Sequence, residues 1–295
     1  MNPKIGIVIV NYNGEKFLEK CIKSILANNY RNYEIIIVDN NSKDKSKELI
    51  KAFNDNRIIL IECDENYGVA KGNNIGIKKS ISNMCEYTLL LNNDTICPST
   101  ILSSLIKKIG FDEICVPKIL YPDYKTIWYC GGKLEFNRGS AKHFYYNKEN
   151  CKEYRYKEYY NYAPTTCMLI RNSVFEKIGL MDEKYFLYFD DTDFCMRLYL
   201  YDIKIKLCYE DYIIHLVGKS TGGDKSTLSI YYMTRNKFYF VKKYKKYFKK
   251  VVILLIYLKK YRDYIKGKIM HTNNHIIKKA IADYKKGKMG RCDEI

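Results

Sequence analysis

The chain has 295 residues, 47% hydrophobic and 28% charged, enough apolar material for a folded core and too much for intrinsic disorder. Its formal net charge is +18, and its eleven cysteines are scattered with no Cys-x-x-Cys pair, which argues against a disulfide framework or a zinc cluster and fits a reducing cytosol. The longest apolar stretch, Val251 to Leu258, is far short of the roughly 20 residues that cross a bilayer, and the opening run from Ile5 to Val10 lacks a small-residue cleavage site, so it reads as a buried strand rather than a signal peptide.

From Lys4 the chain alternates short apolar runs with helical periodicity. Lys4 to Val10 reads as a strand. Glu15 to Asn28 puts Phe17, Leu18, Cys21, Ile22, Ile25 and Leu26 on one helical face, and Tyr33 to Val38 is a second strand. The unit repeats with a helix over Lys43 to Phe53, a strand over Arg57 to Glu62, a helix over Val69 to Ser80 and a strand over Tyr87 to Leu91. A helix then starts behind Pro98 and runs over Ser99 to Lys108. Strands without polar alternation belong in a sheet covered on both faces, so an α/β sandwich with a mostly parallel sheet is expected.

Past a strand at Ile114 to Leu120 the pattern breaks. Tyr121 to Asn161 is Tyr-rich and irregular, a segment of hairpins or surface loop. Regularity returns in a strand at Thr166 to Arg171, a helix at Asp190 to Tyr201 and a strand at Ile203 to Cys208, and from Ser226 onward the chain reads as helices. No Gly/Ser/Pro-rich linker divides it, so residues 1–225 are expected to form one domain and 226–295 a helical basic region. From Tyr231 to Ile295 there are 19 Lys and Arg against 4 Asp and Glu, so most of the +18 lies there. A basic region with interleaved Tyr and Phe attracts polyanions, either nucleic acid or an anionic membrane surface.

In an open α/β sheet ligands bind at the carboxyl ends of the parallel strands, and polar residues cluster there. The first strand runs into Asn11-Tyr12-Asn13-Gly14, the second into Asp39-Asn40-Asn41-Ser42, the third into Asp64-Glu65-Asn66-Tyr67-Gly68 and the fourth into Asn92-Asn93-Asp94. Any one tip is what turns and helix caps use; four along one edge describe a site. An aromatic such as Tyr12 and a carboxylate such as Asp39 suit the face and the N–H edge of a uracil or thymine. Asp94 suits a Mg²⁺ or Mn²⁺ bridging diphosphate oxygens. No Gly-x-Gly-x-x-Gly follows the first strand and no Gly-Lys-Ser/Thr loop occurs, which disfavours a Rossmann dehydrogenase and a P-loop NTPase.

The series VIVNYNG (8–14), VDNNSKD (38–44), NYGVAKGNNIG (66–76), LLLNNDT (89–95), CMLIR (167–171) and IGLMDEKYFLYFDDTDFCMRL (178–198), followed by His215, resembles the family-2 inverting glycosyltransferases of GT-A fold. Within that family it is most similar to the bacterial rhamnosyltransferase-like branch that builds surface polysaccharides. The resemblance implies a GT-A domain over 1–225, with a nucleotide-binding half at about 1–120 and an acceptor half at about 121–225. It also implies transfer of a sugar from a UDP- or dTDP-linked donor to a glycan or lipid-linked acceptor. By the same resemblance Asp39 holds the pyrimidine, Tyr12 and Asn13 line the base and ribose pocket, and Asn41 and Asn93 are further nucleotide-sugar-binding residues. Asn66, Gly68, Lys71 and Asn74 approach the nucleotide from the third loop.

Asp94 is then the metal-binding end of the family's DxD element and His215 a metal or diphosphate ligand. Asn92 stands at the first Asp position, so fewer carboxylates hold the metal, and Thr165-Thr166 stands where the family has Gly-Ala. An inverting transfer needs one general base. Asp190, Asp191 and Asp193 sit where carboxylates cap a helix and favour its dipole; the resemblance assigns Asp191 as base and Asp190 as a supporting contact. Two other readings stand beside this one. A nucleic-acid-binding protein acting through the basic region leaves every strand tip unexplained, and a non-catalytic relative is at odds with the presence of both Asp94 and Asp191. The expected setting is the cytoplasmic face of a membrane, with 231–295 either facing the membrane or packed on the catalytic domain with only its outer, solvated face basic.

Overall fold

Four apolar runs become the parallel half of one sheet. Ile5–Asn11 (β1), Tyr33–Asp39 (β2), Ile58–Glu62 (β3) and Tyr87–Leu91 (β4) pair in parallel in the spatial order β4-β1-β2-β3. The computed structural model describes residues 2–111, 113–151, 154–216, 226–269 and 274–295. Helices Glu15–Leu26 (α1), Ser46–Ala52 (α2) and Gly68–Ser82 (α3) make the crossovers. Parallel pairing returns the chain to the same end of the sheet each time, so the ends of all four strands share one edge. Every residue of β2 and β4 is buried, whereas β3, at the sheet margin, is only half-buried.

The rest of the sheet is mixed. After Thr95–Ile96 (β5) and Ile101–Ile109 (α4) come Ile114–Leu120 (β6) and Ile127–Tyr129 (β7), a hairpin of Gly132–Glu135 (β8) and Ser140–His143 (β9), and Tyr159–Tyr160 (β10). Cys167–Arg171 (β11) inserts antiparallel between β4 and β6, and is followed by Ser173–Ile178 (α5), Asp190–Leu200 (α6) and Ile205–His215 (β12). The full order is β10-β12-β6-β11-β4-β1-β2-β3, with β12 parallel to β6. This is the mostly parallel α/β sandwich expected.

Two boundaries differ from the sequence reading in ways that matter for the site. The helix expected from Lys43 starts only at Ser46, because 40–45 form a loop tied by side chains to the tip of β1. The strand expected to stop at Cys208 runs on to His215, because a register shift between Cys208 and Tyr212 absorbs the polar Tyr209-Glu210-Asp211. Past that bulge β12 pairs with β5, with His215 opposite Thr95.

Three helices follow: Thr227–Lys243 (α7), Lys250–Ile269 (α8) and Asn274–Lys285 (α9). The boundary expected at 225 adjoins residues 217–225, which lie outside the described residues. Ser226 caps α7, its Oγ accepting the Ser229 N–H. Tyr231, Tyr232, Thr234, Arg235, Asn236, Phe238, Phe240 and Val241 are all buried, and Phe238, Phe240 and Val241 belong to the core that contains the sheet. Arg235 takes its charge into the interior, whereas Lys242, Lys245, Lys246, Lys249 and Lys250 are exposed.

Candidate functional site

At the edge formed by β1 and β2, one carboxylate organises the loops. Asp39 is fully buried and accepts three hydrogen bonds, from the Ser42 N–H (2.8 Å), the Ser42 hydroxyl (2.6 Å) and the Asn11 amide (2.9 Å). Ser42 Oγ in turn accepts the Asn13 N–H at 2.9 Å, and Asn13 Oδ1 accepts the Lys43 N–H at 2.8 Å. Asn93 joins from β4 by donating to Asn11 Oδ1 at 2.8 Å. Gly14 is needed for this approach, since a Cβ there would lie 2.2 Å from Asn11 Oδ1 and 2.4 Å from Asn93 Nδ2. Asn13 and Asn41 have φ of 49° and 62°, a conformation Asn accepts more readily than most residues. The Asn41 amide donates to the Asp64 carbonyl and its Oδ1 accepts from Lys43 Nζ.

Beside these loops lies a cleft of about 970 Å³ lined by Tyr12, Asn13, Lys16, Lys20, Lys43 and Leu216 among others. Tyr12 is 43% exposed and offers a ring face, while three lysines supply positive charge. Lys16 and Lys20 were not singled out from the sequence. Their spacing of four on the outer face of α1 was the available signal, but solvated helix faces share it.

The third loop divides. Gly68 has φ of +79°, and a Cβ on it would lie 2.3 Å from the Phe186 carbonyl oxygen, so glycine lets the start of α3 meet the segment before α6. Asn66 Oδ1 accepts the Gly68 N–H at 3.0 Å, and Lys71 Nζ lies 3.3 Å from the centre of the Tyr67 ring. Asn74, expected at the nucleotide, is placed elsewhere. It is buried, donates to the Met181 carbonyl and Glu183 Oε1, and accepts the Met181 N–H. Its position on α3 faces the 181–183 segment, and its amide clasps that segment to the helix.

Asp94 and His215 come together through the β5–β12 pairing, with His215 Nε2 3.1 Å from Asp94 Oδ1 and both residues buried. His215 Nδ1 is buried without a hydrogen-bond partner among the described residues. Its ring packs edge-on against Trp128 at 4.7 Å, and Trp128 packs edge-on against His143 at 4.9 Å. His143 Nδ1 lies 3.0 Å from the Trp128 carbonyl, and burial holds the imidazole below its ordinary pKa, hence neutral near pH 7. His143 stacks on Tyr162 at 5.7 Å, and the Tyr162 hydroxyl donates to Asp191 Oδ2 at 2.7 Å. A continuous row of rings therefore joins the Asp94–His215 pair to Asp191.

Asp191 opens α6, where the Thr192 N–H donates to its Oδ1 at 2.5 Å. Beside it burial, with the Asp191 charge adding to it, pushes the Asp190 carboxyl up to about 7. Asp193 has a different task. Fully buried, it binds Arg197, Lys243 and Tyr244 and so ties α7 and the residues after it to α6.

The Asp190 shift carries a prediction. A carboxyl with a raised folded-state pKa binds its proton more tightly when folded, so it subtracts stability as pH climbs from about 4 to about 7 and subtracts it fully above. Asp190→Asn stays neutral throughout. Its melting temperature relative to wild type should rise between about pH 5 and pH 8; a difference that does not change with pH would show that Asp190 is not buried against a second charge.

Residues 6–179 match the family model described as Glycosyl transferase family 2. The low-salt glycan biosynthesis hexosyltransferase Agl10 of Haloferax volcanii is 29% identical over 252 residues, covering 81% of this chain and 75% of the relative. The dTDP-rhamnosyl transferase RfbF of Shigella flexneri is 27% identical over 266 residues, covering 82% and 81%. Among solved structures, the mannosyltransferase PcManGT from Pyrobaculum calidifontis in complex with GDP-Man and Mn²⁺ has a TM-score of 0.61 at 12% identity, over 96% of this chain and 75% of that one. Other matched structures are longer, and this chain spans 39–65% of their length. At such identities the structures speak for the fold, which is GT-A. The family match runs from β1 to the end of α5 and takes in all four strand tips, and the chain belongs to glycosyl transferase family 2.

Proposed function

We propose that this protein transfers a sugar, with inversion, from a UDP- or dTDP-linked donor to a glycan or lipid-linked acceptor in the synthesis of a cell-surface polysaccharide. The observation that carries the reading is Asp191, held between the Tyr162 hydroxyl and the Thr192 amide and joined by a row of packed rings to the Asp94–His215 pair. In this reading Asp191 takes the proton of the acceptor hydroxyl as that oxygen attacks the anomeric carbon. The bond to the diphosphate breaks on the opposite side and its electron pair leaves with the phosphate oxygen. Asp190, protonated below about pH 7, supplies a neutral neighbour that keeps the two carboxyls from repelling each other.

The donor nucleotide lies in the cleft at Tyr12 and Asn13, where the ring takes the base and Lys16, Lys20 and Lys43 face its charge. Asn66, Gly68 and Lys71 close it from the third loop. Asp39 acts mainly by fixing Ser42 and Asn11, with one oxygen still able to accept a further N–H. A donor named for dTDP-rhamnose in RfbF favours the dTDP form.

A divalent metal fits this chain. A hard carboxylate and an imidazole converge within 3.1 Å on buried positions, and Asp94 and His215 would hold Mg²⁺ or Mn²⁺. Among the described residues no group of three His, Cys, Asp or Glu ligands occurs, so Asp94 and His215 would hold the ion with ligands from outside the protein. When bound, the ion neutralises the charge that develops on the leaving diphosphate. Thermal-shift screening against UDP-, dTDP- and GDP-sugars with Mn²⁺ tests the reading. One nucleotide class should raise the melting temperature in a metal-dependent way, and stabilisation by none would remove it.

The membrane part of the reading rests on α8. No helix among the described residues is long and apolar enough to cross a membrane. Yet Val251, Leu254, Leu255, Leu258, Tyr261 and Ile265 are exposed at helical spacing, flanked by Lys250 and Lys259, while Ile256 and Tyr257 on the other side pack toward Gly139 and Phe238. An apolar stripe with basic flanks suits the interface of an anionic bilayer at the cytoplasmic face, where it would gather a lipid-linked acceptor. Co-sedimentation with anionic vesicles at low salt should fall when Leu254, Leu255 and Leu258 are replaced by Ser. Undiminished recovery, or an apolar-face dimer in ultracentrifugation, would assign the stripe to something other than lipid.

A further inference from the structure

The turn that presents the two carboxylates is held in a conformation its residues resist. Tyr188 and Phe189 have φ of 64° and 70°, and neither is glycine. Successive bulky residues in the left-handed region persist only where surrounding structure over-determines them. Asp190 follows immediately, so the setting of these two peptides fixes where α6 begins and where Asp190 and Asp191 point.

The fasteners come from α7. Asn236 is fully buried and donates both amide hydrogens, to the Leu187 carbonyl at 2.8 Å and the Tyr188 carbonyl at 2.9 Å. Its own oxygen accepts from Arg235 Nε at 3.2 Å. Arg235 is itself buried, lies over the Tyr231 and Tyr232 rings and donates to the Gly290 carbonyl at 2.7 Å. The Tyr188 hydroxyl meets Ser229 Oγ at 2.7 Å, and the Phe189 ring packs on Phe240 at 5.8 Å. A primary amide with two hydrogens on two successive carbonyls is a two-point clamp, and it sets the peptide planes on both sides of Tyr188.

We propose that Asn236 is a positioning residue for sugar transfer: it clamps the left-handed turn at 188–189 and through it aims Asp190 and Asp191. The C-terminal helices then serve catalysis directly, since Asn236 is tied through Arg235 to Gly290 in the segment after α9. The proposal rests on Asp191 as the base. It separates two properties, because neither the residues that line the nucleotide cleft nor the third-loop residues Asn66, Gly68 and Lys71 belong to this turn.

The test compares full-length wild type, Asn236→Ala and Asp191→Asn, with hydrolysis of a UDP- or dTDP-sugar in Mn²⁺ as the turnover probe and calorimetry with the free nucleoside diphosphate as the binding probe. Folded Asn236→Ala should bind nucleotide within about twofold of wild type and turn over at least about tenfold more slowly. A purely structural role would lower the folded fraction and both signals together. Turnover within about twofold in folded Asn236→Ala, with Asp191→Asn inactive, overturns the clamp alone; turnover retained in Asp191→Asn removes the base reading beneath it. Should Asn236→Ala fold poorly, Tyr188→Asn is added to it. Asparagine enters the left-handed region more readily than tyrosine, so folding and part of the turnover should return, and no return of either overturns the proposal.

Discussion

Asp191→Asn should lower the rate of sugar transfer by about 10²–10⁴-fold while leaving nucleotide affinity nearly intact, because a positioned general base contributes about that much. The asparagine is isosteric and can still meet the Tyr162 hydroxyl and the Thr192 amide, so the start of α6 should keep its place. What it cannot do is take the acceptor's proton as the new bond forms. That proton moves only in the transition state, so the loss falls on kcat and not on donor binding, a cost of ~3–5 kcal/mol in the barrier. Rate and affinity measured on the same preparation check it. Turnover within about tenfold of wild type would exclude Asp191 as the base.

Asp94→Ala should abolish most of the metal dependence of nucleoside diphosphate binding. Calorimetry with UDP or dTDP, with and without Mn²⁺, should show wild type gaining at least about tenfold in affinity from the metal and the variant little or nothing. The reasoning is a matter of ligand number. Asn92 supplies no charge, and Asp94 is the carboxylate paired with His215, so removing it takes away the charged ligand and leaves the imidazole alone against a divalent ion and a diphosphate. Asp94→Asn, which keeps a partner for His215 Nε2, separates loss of the ligand from disturbance of the buried pair. A variant whose affinity still rises with Mn²⁺ as the wild type's does would place the ion elsewhere.

The sheet was legible because its strands are continuous β-branched runs, which do not stand as amphipathic helices, and because Asn- and Gly-rich tips recur after each. Tyr12, Asn13 and Asn93 were found by that repetition, and the structure brings them together. Asn74 was placed with Gly68 and Lys71 by the family resemblance of NYGVAKGNNIG (66–76). On a helix, though, residues three or four apart share a face while others turn away, and the amide of Asn74 clasps Met181 and Glu183. The pairing of Asp94 with His215 depends on a bulge in β12 and its register with β5, neither of which has a local signature.

Tyr162 was hidden for a statistical reason: it is one of 30 tyrosines, and nothing in the sequence around it marks the one that touches Asp191. Asn236 was hidden for a physical one. It lies in a stretch whose Lys and Tyr content resembles a solvated or membrane-facing helix, yet α7 is buried on most of its surface and its polar residues are spent on α6 and the turn before it.

The central claim, an inverting transfer from a nucleotide sugar with Asp191 as base, is tested most directly by proton NMR of donor hydrolysis, recorded before the released sugar equilibrates between anomers. With Mn²⁺ and a UDP- or dTDP-sugar, the wild type should release nucleoside diphosphate together with a sugar whose anomeric centre is opposite to the donor's, and Asp191→Asn should release neither at a comparable rate. A sugar that first appears with the donor's own configuration, or release undiminished in Asp191→Asn, would contradict the account.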